Sequence, residues 1–338
     1  MLRSVLPQQT IDLTRMQPLS HPRNAAATSR TGTATSFRRD RFITFDIVCS
    51  THIDVVGKLE SYGADLVAQS SGLTTSEVKQ LLARKDLFCT PHHGPLVVLD
   101  FSAKADRIWE VLQGDPQGSV PLHGGIGLLP SRYVFDEYAD FEELFLELCI
   151  TRDELRHSLE RLQHPIPPGT LLGIFTDWYD QFNPRGDVEF YGMQELWHPF
   201  LLHPYLDRNA LDYLMNDIGV AGIATDAPTL EAPVYYCSGE IELTPNVIEL
   251  SRAIRNGIHR RTIDLPPAPF VHIDVLSRER LLIESVDFER LFRPGETIAS
   301  GNAILIPMLS DSTGWESIPV RALFLDTGRI ESTNTKME

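Results

Sequence analysis

The chain has 338 residues, 42% hydrophobic and 22% charged, which is the balance of a globular protein rather than a disordered or fibrous one. Asp and Glu number 46 against 30 Lys and Arg, a net charge of −16, and a field of that sign argues against nucleic acid or an anionic membrane as partner. No apolar run reaches the roughly 18 residues of a spanning helix, and the four cysteines (Cys49, Cys89, Cys149, Cys237) form no CxxC, so a reducing, cytoplasmic setting and a small-molecule substrate are expected.

Residues 1–41 carry seven arginines against two acids, leaving the remainder with 44 acids and 23 bases. An Arg- and Ser-rich start of this kind also suits a transit peptide. Ile11-Asp12-Leu13-Thr14, however, reads as a strand of the fold, so residues 1–41 are taken as a partly mobile segment with an early strand. Phe42 to Ile53 alternates and is rich in Ile, Val, Phe and Thr, which predicts a strand. Thr74-x-x-Glu77 is a capping box that opens a helix through about Lys85. Leu96–Phe101 is a continuous apolar run suited to a buried strand, and Ala105–Leu112 places Ile108, Trp109, Val111 and Leu112 along a helix.

A second capping box, Thr151-x-x-Glu154, starts a helix with Leu155, Leu159 and Leu162 on one face. Pro167-Pro168-Gly169 ends it, and Thr170–Phe175 reads as another buried strand. Asp207 can cap a helix carrying Leu211, Leu214 and Ile218, with Gly219 as its stop, before a strand at Val220–Thr225. Thr244-Pro245 opens one more helix ending at Gly257. Four strands follow: Phe270–Leu276, Leu281–Ser285, Ala303–Met308 and Val320–Leu325. No linker separates two domains. The expectation is one α/β domain over residues 42–330 with peripheral helices and insertions, followed by a tail at 331–338.

Chemistry concentrates in few places. His52 and Asp54 stand two apart on a predicted strand, so an imidazole and a carboxylate share one side, as metal binding requires. A pair of this kind is more often a surface or hydrogen-bonded pair than a ligand set. His272 interrupts the apolar run Phe270–Leu276, where a satisfied core histidine is the commoner reading. Glu284 follows Leu281-Leu282-Ile283 and is costly to bury unless paired or metal-bound. Together the four supply two imidazoles and two carboxylates, a donor set for zinc or manganese. His203 precedes a helix, with structural and functional readings about even. His92-His93 reads as an exposed turn before Gly94-Pro95, and His157 and His164 read as surface residues. His123-Gly124-Gly125 lacks the context of a phosphate loop, and no GxSxG or P-loop occurs.

At these same residues the chain resembles the cyclase family of metal-dependent hydrolases, which includes kynurenine formamidase and isatin hydrolase. Ser50-Thr51-His52-Ile53-Asp54 is similar to the core of that family's HxGTHxDxPxH signature, and Gly94–Asp100 to its GPAVVLD strand. Ile150–Leu155 with Thr176-Asp177-Trp178 resembles its ITREDL…RTGW stretch. His203-Pro204, Gly219–Ile223 and Asp226-Ala227-Pro228 resemble HPGLS…GVxxVGIDTPS, and His272 and Glu284 fall at its late His…Glu spacing. Segments around 60–90, 115–145 and 231–262 look like additions. Among the signature positions that differ, the first His falls on Val48, the Pro on Val56 and the proton-transfer His on Lys58.

The resemblance implies a swivelling β/β/α-type domain, a homo-oligomer, and a centre reduced to one divalent ion, zinc or manganese, held by His52, Asp54, His272 and Glu284. It further implies hydrolysis of an amide, imide or lactone carbonyl on a small, often aromatic molecule. Lys58 would clamp the developing oxyanion, or donate a proton if its pKa were depressed, with His203 as a spare imidazole beside the ion. Trp178 and Asp226 would contact substrate. Two other readings stand beside this one: a non-hydrolytic cyclase or dehydratase, and a metal-free binding protein that keeps the fold.

Overall fold

Seven strands close into a ring. In the computed structural model, which describes residues 9–14, 51–106, 146–162, 164–177, 203–227, 229–232, 269–292 and 294–326, the strands are β1 (Gln9–Asp12), β2 (His52–Asp54), β3 (His92–Asp100), β4 (Cys149–Ile150), β5 (Leu171–Phe175), β6 (Tyr205–Leu206), β7 (Gly222–Thr225), β8 (Leu281–Glu284), β9 (Ile298–Pro307) and β10 (Ser317–Asp326). The ring runs β10-β2-β8-β7-β5-β3-β9 and returns to β10, with β1 added beside β2 on β10. Strands β3, β5, β7 and β8 pair in parallel, and β2, β9 and β10 close the ring antiparallel. β4 and β6 form a separate parallel pair. Closure leaves the ring's strands without open edges.

The apolar runs that signal strands also fill the ring. Leu96, Leu171, Ala224, Ile283, Leu305 and Ala322 meet at its centre, so the interior is core and not a channel. Because side chains alternate along a strand, an inward Ile283 sends Leu282 and Glu284 to the outer face. On that face lie α1 (Val56–Tyr62), α2 (Ala64–Ser71), α3 (Thr75–Leu82) and α6 (Val271–Ser277), with α6 packed on β8, α1 and α2. α4 (Arg152–Glu160) and α5 (Arg208–Asp212, continuing as π-helical turns to Ile218) pack on each other.

The helix starts follow their predicted chemistry. Thr74 Oγ1 accepts from the Glu77 backbone N–H at 3.2 Å while Glu77 Oε2 accepts from that of Thr74 at 2.7 Å, and Thr151 and Glu154 repeat the arrangement. α3 ends at Leu82, short of Lys85. Asp207 accepts from the Ala210 backbone N–H at 2.7 Å, and Gly219 ends the helix in the left-handed region at φ 72°. Leu155 and Leu159 are buried, and Leu162 packs on the core.

Two expectations need correction. Phe270–Leu276 is not a strand: Val271–Ser277 is a helix, and every residue from Val271 to Leu276 is buried. A helix buried all round shows no amphipathic period and reads like a buried strand. His92-His93 is not a turn but the start of β3, with His93 exposed and His92 half-buried. Of the strand expected at Phe42–Ile53, the described residues are 51–53, where β2 begins at His52, and of the helix at Ala105–Leu112 they are 105–106, in a helical turn over 102–106. The helix at Thr244-Pro245, the greater part of the N-terminal segment, and Val48, Trp178 and Cys237 lie outside the described residues. Among the described residues, no helix is long and apolar enough to cross a membrane.

Candidate metal centre

β2 and β8 run antiparallel with His52 opposite Glu284 and Ile53 opposite Ile283. Directly opposed residues share a face, so His52, Asp54 and Glu284 all project outward from the ring, under α6. His272, in the first turn of α6, comes down onto them. All four are buried, none more than 4% exposed. Four ligand-type side chains from positions up to 232 residues apart therefore share one small space.

The distances alternate imidazole and carboxylate. His52 Nε2 is 3.3 Å from Glu284 Oε2 and 3.8 Å from Asp54 Oδ1. His272 Nε2 is 3.1 Å from Asp54 Oδ2 and 3.5 Å from Glu284 Oε1. Donors held about 2.0–2.2 Å from a shared ion span roughly 3.0–3.5 Å from one another. His52, Asp54 and Glu284 form the tighter set, with donor atoms all within 4.8 Å, and His272 meets the two carboxylates through their other oxygens. Asp54 Oδ2 and Glu284 Oε1 are buried with no aligned hydrogen-bond donor, although His272 Nε2 lies close to both. Buried carboxylate oxygens in that condition are costly unless a cation fills the space between donors. The residues present therefore fit one divalent ion.

Electrostatics point the same way. Burial pulls His272 down, yet Asp54, Glu231 and Glu284 outweigh it and hold its pKa well above the usual imidazole range. Burial pushes Asp54 up, and His272, Lys58 and His52 outweigh that to hold it low. The site draws positive charge to itself.

The residue that sequence reasoning missed is Glu231. It is 1% exposed, and its carboxylate accepts from the backbone N–H of Phe270 at 3.1 Å and of His272 at 2.9 Å. Its Oε1 also lies 2.9 Å from His272 Nδ1. Phe270 itself offers no side-chain cap to α6, so Glu231 caps that helix from 39 residues away. A carboxylate on Nδ1 fixes the ring's tautomer and leaves Nε2 for the ion. Nothing local in the sequence announces this, and Glu231 opens a segment that read as an addition.

The backbone around Glu284 is also pinned. Ser285 adopts φ 58°, unusual for a residue with a Cβ, and its carbonyl accepts from Thr51 Oγ1 at 2.8 Å. The residue before His52 thus holds the residue after Glu284.

Lys58 lies in α1, four residues after Asp54, with Nζ 3.8 Å from Glu316 Oε2 and its side chain 26% exposed. Burial pulls its pKa down, but Asp54, Glu316, Glu284 and Glu231 outweigh that and hold it above the ordinary lysine value. The condition attached to proton donation by Lys58, a depressed pKa, is not met, because the carboxylates that attract a metal also retain its proton. Asp226 is buried, and its Oδ1 accepts from the Thr176 backbone N–H at 2.7 Å and from Thr176 Oγ1 at 2.9 Å. That oxygen joins the ends of β5 and β7. His203 is fully buried, with Nδ1 2.9 Å from the Pro204 carbonyl, and burial pushes its pKa down to about 4 against the raising effect of that bond.

Residues 133–232 match the family model described as Putative cyclase. Over that segment the chain is similar to the cyclase family. The matched cyclase segment contains His203, Asp226 and Glu231, while His52, Asp54, His272 and Glu284 come from outside it and stand on their geometry. Among solved structures, isatin hydrolase A from Ralstonia solanacearum is similar at 14% identity and a TM-score of 0.46, covering 93% of this chain and 90% of that one. Isatin hydrolase A from Labrenzia aggregata is similar at 13% identity and a TM-score of 0.44, covering 95% and 94%. A structure described as a novel cyclase is similar at 15% identity and a TM-score of 0.44, covering 96% and 90%. No curated protein matches the chain in sequence.

Proposed function

We propose that the chain is a metal-dependent hydrolase acting on an amide, imide or lactone carbonyl of a small molecule. The observation that carries this is the convergence of His52, Asp54, His272 and Glu284, from two distant parts of the chain, in one buried space at ligand-like separations. A divalent ion, zinc or manganese, held by these four residues supplies Lewis-acid polarisation of a carbonyl and makes water a better nucleophile near neutral pH.

The chain's own residues set the conditions for that chemistry. Glu231 holds the His272 ring in one tautomer and one orientation. Thr51 and Ser285 lock the ends of β2 and β8, so His52 and Glu284 arrive with little freedom left to lose. Burial of all four donors keeps bulk water away and strengthens each charge interaction. Lys58 remains an ammonium and supplies positive charge at the rim, where it favours a developing oxyanion. Trp178 and Asp226 are proposed to contact substrate, with His203 nearby. A cytoplasmic homo-oligomer is the proposed setting.

One observation favours the non-hydrolytic reading. A lysine held above its ordinary pKa is no general base at neutral pH, so position 58 provides none. Turnover of N-formyl aromatic amines, cyclic imides and lactones separates the two. Hydrolysis that needs a divalent ion and is lost in Glu284→Gln supports the first reading. Silence across the panel from ion-loaded protein moves the assignment to a cyclase or dehydratase.

A further inference from the structure

We propose that Arg208 is a positioning residue of the metal centre, gripping α6 on the side away from the ion and so setting where His272 Nε2 stands. The inference rests on the metal-binding reading above and adds a residue that acts through a helix rather than on the ion. His52, Asp54 and Glu284 stand on β2 and β8, whose pairing with each other and with β10 fixes them. His272 instead arrives from α6, so its place depends on where that helix lies. Glu231 caps α6 at its start and fixes the imidazole at Nδ1. A cap holds one end of a seven-residue helix and leaves its depth over the ring to contacts made farther along.

Arg208 makes such contacts. Its Nη1 donates to Asp274 Oδ2 at 2.8 Å, and its guanidinium carbon lies 5.7 Å from the centre of the Phe270 ring, within reach of a cation–aromatic attraction. The Asp274 backbone N–H donates to the Phe270 carbonyl at 2.8 Å, so these two residues close one helical turn and share a side. His272, midway between them, is turned about 200° from each and so faces the other way, onto the ligands. One guanidinium therefore holds the helix from behind, at the residues on either side of His272. Asp274 is buried, so its pair with Arg208 is little screened. A second cation beside it, Arg278 Nη2 at 3.7 Å, belongs to the end of the same helix and cannot fix that helix against the rest. Arg208 is the first residue of α5, with its Nε 3.8 Å from Asp212 one turn on. Asp207 caps α5, and the Leu206 backbone N–H donates to the Leu230 carbonyl at 3.1 Å, next to Glu231. Residues 206–208 thus tie both supports of His272, the Glu231 segment and α6, to one junction.

The experiment titrates the full chain with Co²⁺, whose visible absorption depends on the number and arrangement of its ligands, and follows urea unfolding of each variant in parallel. Arg208→Met makes the surroundings of the centre more negative, which by charge alone would tighten binding of a cation. The expected result is the opposite: Co²⁺ bound at least about ten-fold more weakly, with an altered absorption spectrum. Combining Arg208→Met with Asp274→Asn leaves the net charge unchanged and removes the carboxylate that lost its partner. That pair is expected to recover unfolding free energy while Co²⁺ binding stays weak, and it carries the comparison if Arg208→Met alone does not fold. Arg208→Lys, which keeps a cation beside Asp274, is expected to bind Co²⁺ more tightly than either. An Arg208→Met chain that binds Co²⁺ as tightly as the unaltered protein and with the same spectrum, or a pair that regains affinity along with stability, overturns the inference and leaves the metal centre standing. Retention of no Co²⁺ by the unaltered protein overturns the metal reading itself, and this inference with it.

Discussion

Glu231 Oε1 lies 2.9 Å from His272 Nδ1 and 2.9 Å from the His272 backbone nitrogen, so one carboxylate oxygen fixes both the ring and the peptide that bears it. Outer carboxylates of this kind typically change metal affinity by about 10–100-fold when altered. Glu231→Gln is expected to weaken retention of Mn²⁺ or Zn²⁺ by that factor, read by competition with a chelator. Glu231→Ala also strips the Phe270 and His272 backbone donors of their acceptor and is expected to cost about 3 kcal/mol or more in unfolding free energy. Unchanged retention in Glu231→Gln would show that the ring needs no such support.

An ion that binds the folded chain and not the unfolded one stabilises it by mass action. A free concentration of 100 times its Kd is worth about 2.7 kcal/mol. The melting temperature should therefore rise steadily with added Mn²⁺ or Zn²⁺ and fall on chelation. Asp54→Asn, which keeps the shape but removes a ligand charge, should flatten the response. A response of equal size in that variant would place the binding elsewhere.

His203 makes stability depend on pH with a definite sign. Its folded pKa of about 4 is below its ordinary value of 6.5 because it is buried. Between those values the unfolded chain takes up the proton and the folded chain refuses it, so stability is lost as pH falls from 6.5 towards 4. The full difference is about 3 kcal/mol. Comparing urea unfolding at pH 7 and pH 4.5, His203→Gln should lose distinctly less stability than the unaltered chain. Equal losses would mean that His203 is protonated in the fold.

Gly57 admits no side chain without moving the backbone of Trp315, since the obstacle at 1.8 Å is a carbonyl oxygen and not a flexible chain end. Gly57→Ala is expected to destabilise the protein by about 3 kcal/mol or more, although alanine is the better helix former. A melting temperature equal to that of the unaltered protein would indicate that α1 does not press on the 315–316 segment.

The strand-borne half of the site was legible in the sequence because strand geometry is simple. His52 and Asp54 stand two apart, so they share a face wherever the strand lies. Glu284 ends an apolar run that must pair somewhere in the ring. The capping boxes at Thr74 and Thr151 were legible for a similar reason, since each is a local exchange of hydrogen bonds across three residues. His272 was recognised as a candidate on the wrong element. Its helix is buried on every side, and the pattern that separates helix from strand needs one polar face. Glu231 was not legible. Its meaning depends on partners 39 and 41 residues away, brought near by folding alone. Lys58 was found, but the direction of its pKa shift depends on how many carboxylates the fold gathers round it, which residue types cannot tell.

The most direct test of the centre is diffraction from crystals grown with Mn²⁺ or Zn²⁺, with anomalous differences recorded above and below the metal's absorption edge. The account predicts one strong anomalous peak about 2.0–2.3 Å from His52 Nε2, His272 Nε2 and the carboxylates of Asp54 and Glu284. An ion-free space between those four residues, in crystals whose anomalous signal lies elsewhere or is missing, would contradict it.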